Sequence, residues 1–480
     1  MTIPLQPLAS NLAVTRAITG LWQIADMERQ QQLDLANLAD AMLPYVEAGL
    51  ITFDMADHYG SAEDVVGIFR QKHGDQVQAL TKWVPEPGTV RKAQVRAAVE
   101  TSLRRLKVEK LELLQFHTWR YADPSWLDAL FYLQELKDEG LINQLGLTNV
   151  DAAHLDMVLQ SGIEVVSNQV SCSLIDRRAQ GALSEVCMRH GVKLLAYGTV
   201  AGGLLSERWL GKPEPTEEAT ANITWSQSKY ARFIREAGGW QVFQGLLAAL
   251  NDVAKKKGVS MATVASRYVL ELPAVGAVII GARLGERNYL PDTLKLFEIA
   301  LDADDKATLQ TCLQTLQPIP GDCGDEYRKA PFLTASGDLS HHLENFPAPF
   351  ETVSKGDRTL ALSGTVWEGL AGYCRAVRKG NHIAVSGTTA THGKRVIGGQ
   401  DAGAQAHFVI DKLEAALVSL GGQLEDVIRT RVFIKHIDDW EAVARAHGQR
   451  FGTILPANTL VQADLVGDDY LVEIEAEALL

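Results

Sequence analysis

The sequence predicts an α/β chain, a (β/α)8 barrel of the TIM type followed by a smaller α+β domain. Three observations carry this. Over roughly the first 300 residues, eight strand-like runs alternate with helical stretches. The runs are almost continuously apolar, as strands of a parallel sheet covered on both faces are. The alternation then stops near residue 316, and after residue 355 strands return in clusters with only two helices among them.

The eight runs are TRAITG, ITFDMA, VQALTKW, LELLQFH, INQLGL, VVSNQV, VKLLAYG and AVIIGA, each followed by a polar or glycine-containing loop. Residues 91–106 show the helical period: Val95, Val99, Leu103 and Leu106 share one face, with Arg and Lys opposite. A doubly wound open sheet would normally have fewer strands. Residues 204–241 carry Trp209, Trp225, Trp240, Pro213 and Pro215 and read as a long loop over one end of the barrel. Residues 316–350, with PIPGDCGDE, SGDLSHH and FPAPF, read as a connector between a barrel over 1–315 and a second domain over 351–480. That domain opens with the strand-like YCRAVRKG and HIAVSG. A helix over 402–420 follows, with Ala406, Val409, Ile410, Leu413, Leu417 and Leu420 in one stripe that Gly421 and Gly422 stop. Strand RTRVFIKH, helix DWEAVARAHGQRF and strands NTLVQADL and YLVEIEAEAL complete it. The last alternates cleanly from Leu471 to Ala476, so one sheet face is expected to be wet or at an interface.

Composition narrows the function. With 46% hydrophobic and 22% charged residues in 480, the chain can bury a sizeable core. Its 46 Lys and Arg against 59 Asp and Glu give a net charge of −13 without a basic block, which argues against nucleic acid and anionic membrane surfaces. No apolar run approaches the length of a membrane span. The five cysteines, Cys172, Cys187, Cys312, Cys323 and Cys374, are scattered without C-x-x-C, so neither a disulfide framework nor a metal site is expected. A reducing, cytoplasmic location fits this pattern, and the first residues do not read as a signal peptide.

Chemistry in a barrel sits at the C-terminal ends of its strands. Here the second run ends in Asp54 with Tyr59 just beyond, the third in Lys82 and the fourth in His117. A phenol with a pKa near 10 is a slow proton donor at neutral pH. A neighbouring ammonium favours its phenolate, and a carboxylate keeps the ammonium charged and oriented. Tyr59, Lys82 and Asp54 can therefore form a proton relay, while His117 aims a carbonyl oxygen. Singly, such residues are more often caps, solvated charges or packed polar groups; together at one rim they signal chemistry. None can supply hydride, so a nicotinamide or flavin is implied. Trp22, Trp83 and Trp119 follow strand ends and are expected to line an apolar substrate pocket.

These residues resemble the aldo-keto reductase family over about residues 10–310. DMADHYGSAE is similar to the segment around that family's catalytic tyrosine, and TKW, QFHTW, GLTNV, SNQV and LLAYGTVAGGLL match further family segments. The resemblance implies an NADP(H)-dependent reductase of small aldehydes or ketones. Tyr59 would be general acid, Lys82 and Asp54 its tuners and His117 the carbonyl orienter. It also implies Asn149 and Gln169 at the nicotinamide carboxamide and Tyr197 against its ring, with Gly202, Gly203 and Leu204 along the pyrophosphate. IIGARLGER resembles the segment for the adenosine 2′-phosphate, where Arg283 and Arg287 suit an anion. Downstream the family commonly carries Asn or Glu for the adenine. Here NYLPDT stands instead, so NAD(H) stays open.

The last 130 or so residues resemble the RidA/YjgF family of enamine/imine deaminases, through GYCRAVRKGNHIAVSG, PANTLVQADL and LVEIEAEAL. The resemblance implies a homo-oligomer, a trimer with clefts between subunits, and Tyr373, Ser386, Asn458 and Glu475 at cleft positions. The family's deaminases carry Arg where Asn458 stands, and Asn cannot clamp a carboxylate as a bidentate cation does. Three functions follow: a carbonyl reductase, a cofactor-sensing or scaffold protein, and a bifunctional imine deaminase plus carbonyl reductase.

Overall fold

The computed structural model describes residues 3–24, 33–215, 224–330, 332–334, 339 and 346–480. The chain opens with a hairpin, β1 (Leu5–Ala9) and β2 (Leu12–Thr15), that the sequence pattern did not signal. Eight parallel strands then close a barrel: β3 (Ala17–Gly20), β4 (Thr52–Asp54), β5 (Gln78–Trp83), β6 (Leu111–His117), β7 (Ile142–Thr148), β8 (Ser167–Ser171), β9 (Lys193–Tyr197) and β10 (Val275–Gly281), with β10 pairing β3. The eight runs expected from the sequence are these eight strands. Leu8, Leu12 and Val14 of the hairpin pack with Ile18, Leu80, Leu113, Leu195 and Ile279, so the hairpin plugs the N-terminal end of the barrel. That leaves the opposite rim as the open one.

The expected loop over 204–241 is a partial correction. It contains a helix, Trp225–Glu236, whose N-cap Thr224 and Gln227 form a capping box. Tyr230, Phe233 and Ile234 bury its inner face against the second apolar core. Within that stretch, residues 216–223 lie outside the described residues.

The C-terminal domain holds a seven-stranded sheet. Its strands are β11 (Glu351–Lys355), β12 (Arg358–Leu362), β13 (Ala376–Lys379), β14 (His382–Thr389), β17 (Val427–Ile434), β18 (Ala457–Gln462) and β19 (Val472–Leu479), in the order β11-β12-β13-β14-β19-β17-β18. A small antiparallel pair, β15 (Thr391–His392) and β16 (Arg395–Val396), follows β14. All pairs in the sheet are antiparallel except β17 with β18. Helices Ala402–Ser419 and Trp440–Phe451 pack on one face.

The helix Ala402–Ser419 is buried on far more than the single expected stripe. One face covers its own sheet, and the other rests on the barrel helix Ala152–Gln160. Gly399 shows how close the two units come: its φ is 53°, and a Cβ there would run into the carbonyl of Gln160. The neighbouring Gly398 N–H donates to Ser161 Oγ across the same junction, at 2.9 Å.

The junction is centred on a buried imidazole. His154 Nδ1 lies 2.8 Å from Asp151, and its Nε2 lies 3.1 Å from Asp411 of the C-terminal domain. Both ring nitrogens face carboxylates, so both carry protons. Burial alone would lower the His154 pKa, but Asp151 and Asp411 raise it to about 9. Because the pKa rises on folding, the contribution is complete below about pH 6.5 and is lost as pH climbs through about 9. The thermal midpoint is therefore expected to fall between pH 6.5 and 9.5, and His154→Gln is expected to flatten that fall. An unchanged slope in the variant would contradict the assignment.

Candidate active site

At the open rim a cavity of about 180 Å³ is lined by Trp22, Asp54, Tyr59, Lys82, His117 and Trp119, together with Asn149, Gln169, Tyr197 and Gly202. Each arrives for a local reason. Asp54 is the last residue of β4, His117 the last of β6, and Tyr197 the last of β9. Lys82 sits one residue before the end of β5, and the alternation of a strand turns it inward while Trp83 turns outward. Trp83 does not line the cavity; it packs on Phe116, with ring centres 5.6 Å apart. The expected pocket thus keeps Trp22 and Trp119 and loses Trp83.

The charges are ordered. Lys82 Nζ donates to Asp54 Oδ2 at 2.7 Å and to Met55 O at 2.8 Å, and it stands 4.9 Å from the centre of the Tyr59 ring. The other oxygen of Asp54 accepts from Gln169 Nε2 at 2.7 Å and Gln115 Nε2 at 3.2 Å. Burial pulls the Lys82 pKa down, and Asp54 opposes it. An ammonium placed near a phenol favours the phenolate.

His117 is buried among Trp119, at 4.5 Å, and Tyr327, at 5.5 Å between ring centres. Burial, then Arg328, drives its pKa well below 6.5, so the ring is neutral. Its Nδ1 lies 3.4 Å from Thr148 O, and its Nε2 has no hydrogen-bond partner among the described residues. With Nδ1–H donating to Thr148 O, Nε2 is an acceptor; the Nε2–H form, which gives up that long bond, is the one that can donate into the cavity.

The cofactor positions inferred from the resemblance separate into two groups. Asn149, in the left-handed region with φ 57°, accepts from Tyr197 Oη at 2.8 Å through its side-chain oxygen. With Gln169 and Gly202 these residues share the cavity wall. Gly203 and Leu204 do not line it, and Leu204 is buried in the second core. Arg283 and Arg287 lie in the turn after β10, beyond the cavity, with Arg283 Nη1 3.8 Å from Glu286.

Three residues at the mouth escaped the sequence reading. The expected connector folds a short helix, Asp325–Arg328, over the rim. Its N-cap Gly324 has φ 88°, and any Cβ there would run into the carbonyl of Asn149. Tyr327 from this helix meets Lys229 Nζ at 2.6 Å and Tyr197 Oη at 3.2 Å. Arg328 donates to Asn149 O and Thr118 O, each at 2.7 Å. The signal was faint: a glycine followed by two acids in GDCGDEYR, which is a helix start.

In the C-terminal domain, Tyr373 Oη accepts from Arg375 at 3.0 Å, and Ser386 Oγ donates to Cys374 O. Asn458 is not with them. It lies on the edge strand β18, three strands from β14, where its Nδ2 donates to Thr430 Oγ1. Glu475 pairs with Arg431 on the sheet face. The carboxylate over Gly387 belongs to Glu473, where Arg375 offsets the upward push of burial on its pKa. One chain therefore divides the inferred cleft between two regions of the sheet.

Residues 17–314 match the Aldo/keto reductase family, and residues 365–480 match the family described as Endoribonuclease L-PSP. The chain belongs to the aldo/keto reductase family of oxidoreductases and carries a RidA-like domain behind its barrel. Flagellar radial spoke protein 5 of Chlamydomonas reinhardtii is 27% identical over 257 residues, which cover 45% of this chain and 49% of that protein. The chain thus spans about half the length of that curated relative. Uncharacterized protein SCO2049 of Streptomyces coelicolor is 38% identical over 117 residues, covering 24% of this chain and 87% of that protein. Among solved structures, the glycerol dehydrogenase AKR11B4 from Gluconobacter oxydans shares the barrel fold, with a TM-score of 0.52 and 23% identity over 67% of this chain and 97% of that one.

Proposed function

We propose that the barrel reduces small aldehydes or ketones to alcohols with NADP(H), and that the RidA-like domain assembles the chain into a trimer. The observation that carries the first part is the buried Nε2 of His117, which has no hydrogen-bond partner among the described residues, on a ring that lines the cavity with Tyr59 and Lys82. A buried polar atom without a partner is costly, and in the Nε2–H form of the ring a carbonyl oxygen satisfies this one.

The residues present fit a nicotinamide. Asn149 and Gln169 bring amides to one wall, and the Tyr197 ring lines the same wall. When bound, the nicotinamide supplies the hydride. The chain's own residues do the rest. His117 orients the carbonyl oxygen, Tyr59 gives it a proton, and the Lys82–Asp54 pair stabilises the phenolate left behind.

Arg283 and Arg287 support the 2′-phosphate and hence NADP(H). Replacing both by Ala is expected to raise KM for NADPH by about tenfold or more and leave KM for NADH unchanged in parallel steady-state assays. An equal loss with both nucleotides would remove the arginines from phosphate recognition.

Assembly is supported by the sheet. Strand β11 is exposed along its length, and Leu455 and Val466 beside β18 are 79% and 80% exposed. Such apolar exposure marks interaction surfaces, and a second copy would bring the two divided cleft regions together. Sedimentation is expected to give three times the 52.4 kDa chain mass; a monomer at micromolar concentration contradicts it. Asn458 gives this cleft no carboxylate clamp, so deamination is not part of the proposal. The competing reading, a cofactor-binding scaffold, is favoured by one finding, the relative named for a flagellar radial spoke.

A further inference from the structure

The buried junction between the domains reaches the reductase cavity through contacts that can be followed residue by residue. On the far side, Asp411 is held by Arg450, which also reaches Glu414 at 2.8 Å. Asp411 holds His154, whose ring stacks on Tyr121 with centres 3.4 Å apart and planes within 8°. The Arg328 guanidinium lies 4.3 Å from the centre of the same Tyr121 ring and donates to Asn149 O. A second route is shorter. His154 grips Asp151, which caps the helix Ala152–Gln160 and lies two residues beyond Asn149, and Asp151 N–H donates to Tyr121 Oη at 3.3 Å. Asn149 sits at the end of both routes in a left-handed conformation that its surroundings must hold.

A buried ion pair seldom adds net stability, because desolvation offsets the attraction; what it fixes is geometry. His154 between Asp151 and Asp411 fixes the start of the helix that follows Asn149. We propose that His154 is a positioning residue through which the RidA-like domain sets the geometry of the nicotinamide subsite at Asn149. The inference rests on the reading of that cavity as a nicotinamide site. The C-terminal domain is then part of the reductase as well as its means of assembly, and a change at Asp411, outside the barrel, alters nucleotide affinity.

The test is a double-mutant cycle on the full chain, with Asp411→Asn, His154→Gln and the double variant, read by NADPH titration, kcat at saturation and thermal midpoint. Asp411→Asn is expected to weaken NADPH binding by about 5–50-fold with kcat at saturation retained, and the double variant is expected to be no worse than either single. His392→Ala is the control. It removes a second contact across the junction, His392 Nε2 to Asp128 at 3.0 Å, which touches neither route, and it is expected to leave NADPH affinity unchanged. Should Asp411→Asn fail to fold, Arg450→Lys disturbs the same carboxylate from the far side and carries the same expectation. Wild-type affinity in the folded network variant, or an equal loss in His392→Ala, overturns the coupling while leaving the nicotinamide site intact. Failure of the wild-type chain to bind NADPH or NADH overturns the site reading, and the coupling with it.

Discussion

Tyr59→Phe is expected to lower kcat for aldehyde reduction by about 10²–10⁴-fold and to leave nucleotide affinity unchanged. The two side chains differ only by the phenol oxygen. The ring itself is placed by Trp22 and His58, each 4.8 Å away between ring centres, and Phe keeps those contacts. Lys82 stays fixed, because Asp54 and Met55 O hold its amine nitrogen whether or not a hydroxyl faces it. The variant therefore keeps the cavity, the ion pair and the orienting imidazole, and loses only the proton donor. Steady-state turnover alongside nucleotide titration separates the two effects. A variant that turns over like the wild type would show that the proton comes from elsewhere.

His117→Ala is expected to cost about 10²–10³-fold in kcat/KM for the carbonyl substrate, the range for loss of a preorganised hydrogen-bond donor. The wild-type pH profile gives an independent check. Burial and Arg328 hold the ring neutral, so its titration lies well below its ordinary range. The profile of kcat/KM is expected to stay flat through the region near pH 6.5 where a free imidazole titrates. A transition there that disappears in His117→Ala would mean that the ring works as a cation.

Much of this was legible in the chain because strand ends are points of fixed geometry. Once the eight apolar runs are taken as parallel strands, Asp54, Lys82 and His117 must share a rim, and the structure gathers them around one cavity. Trp83 escaped this logic because adjacency to Lys82 in sequence is opposition in a strand. Tyr327 and Lys229 escaped it for a different reason. They meet at 2.6 Å although 98 residues separate them, on two helices whose stretches read as loop and connector. The capping box at Thr224 and Gln227 was the local signal for one of those helices. His154 was invisible because its meaning depends on Asp411, 257 residues away in another domain. Buried ion pairs between domains leave no periodicity.

Under the proposed function one cavity holds both a nicotinamide and a carbonyl substrate. The most direct test is NADPH oxidation by a panel of aldehydes, ketones and sugars, measured on the wild-type chain and on Tyr59→Phe. Saturable oxidation is expected, stoichiometric with alcohol formed, and it collapses in the variant while NADPH still binds. Tight NADPH binding with no turnover on any member of the panel would contradict it and leave the barrel a cofactor-binding scaffold.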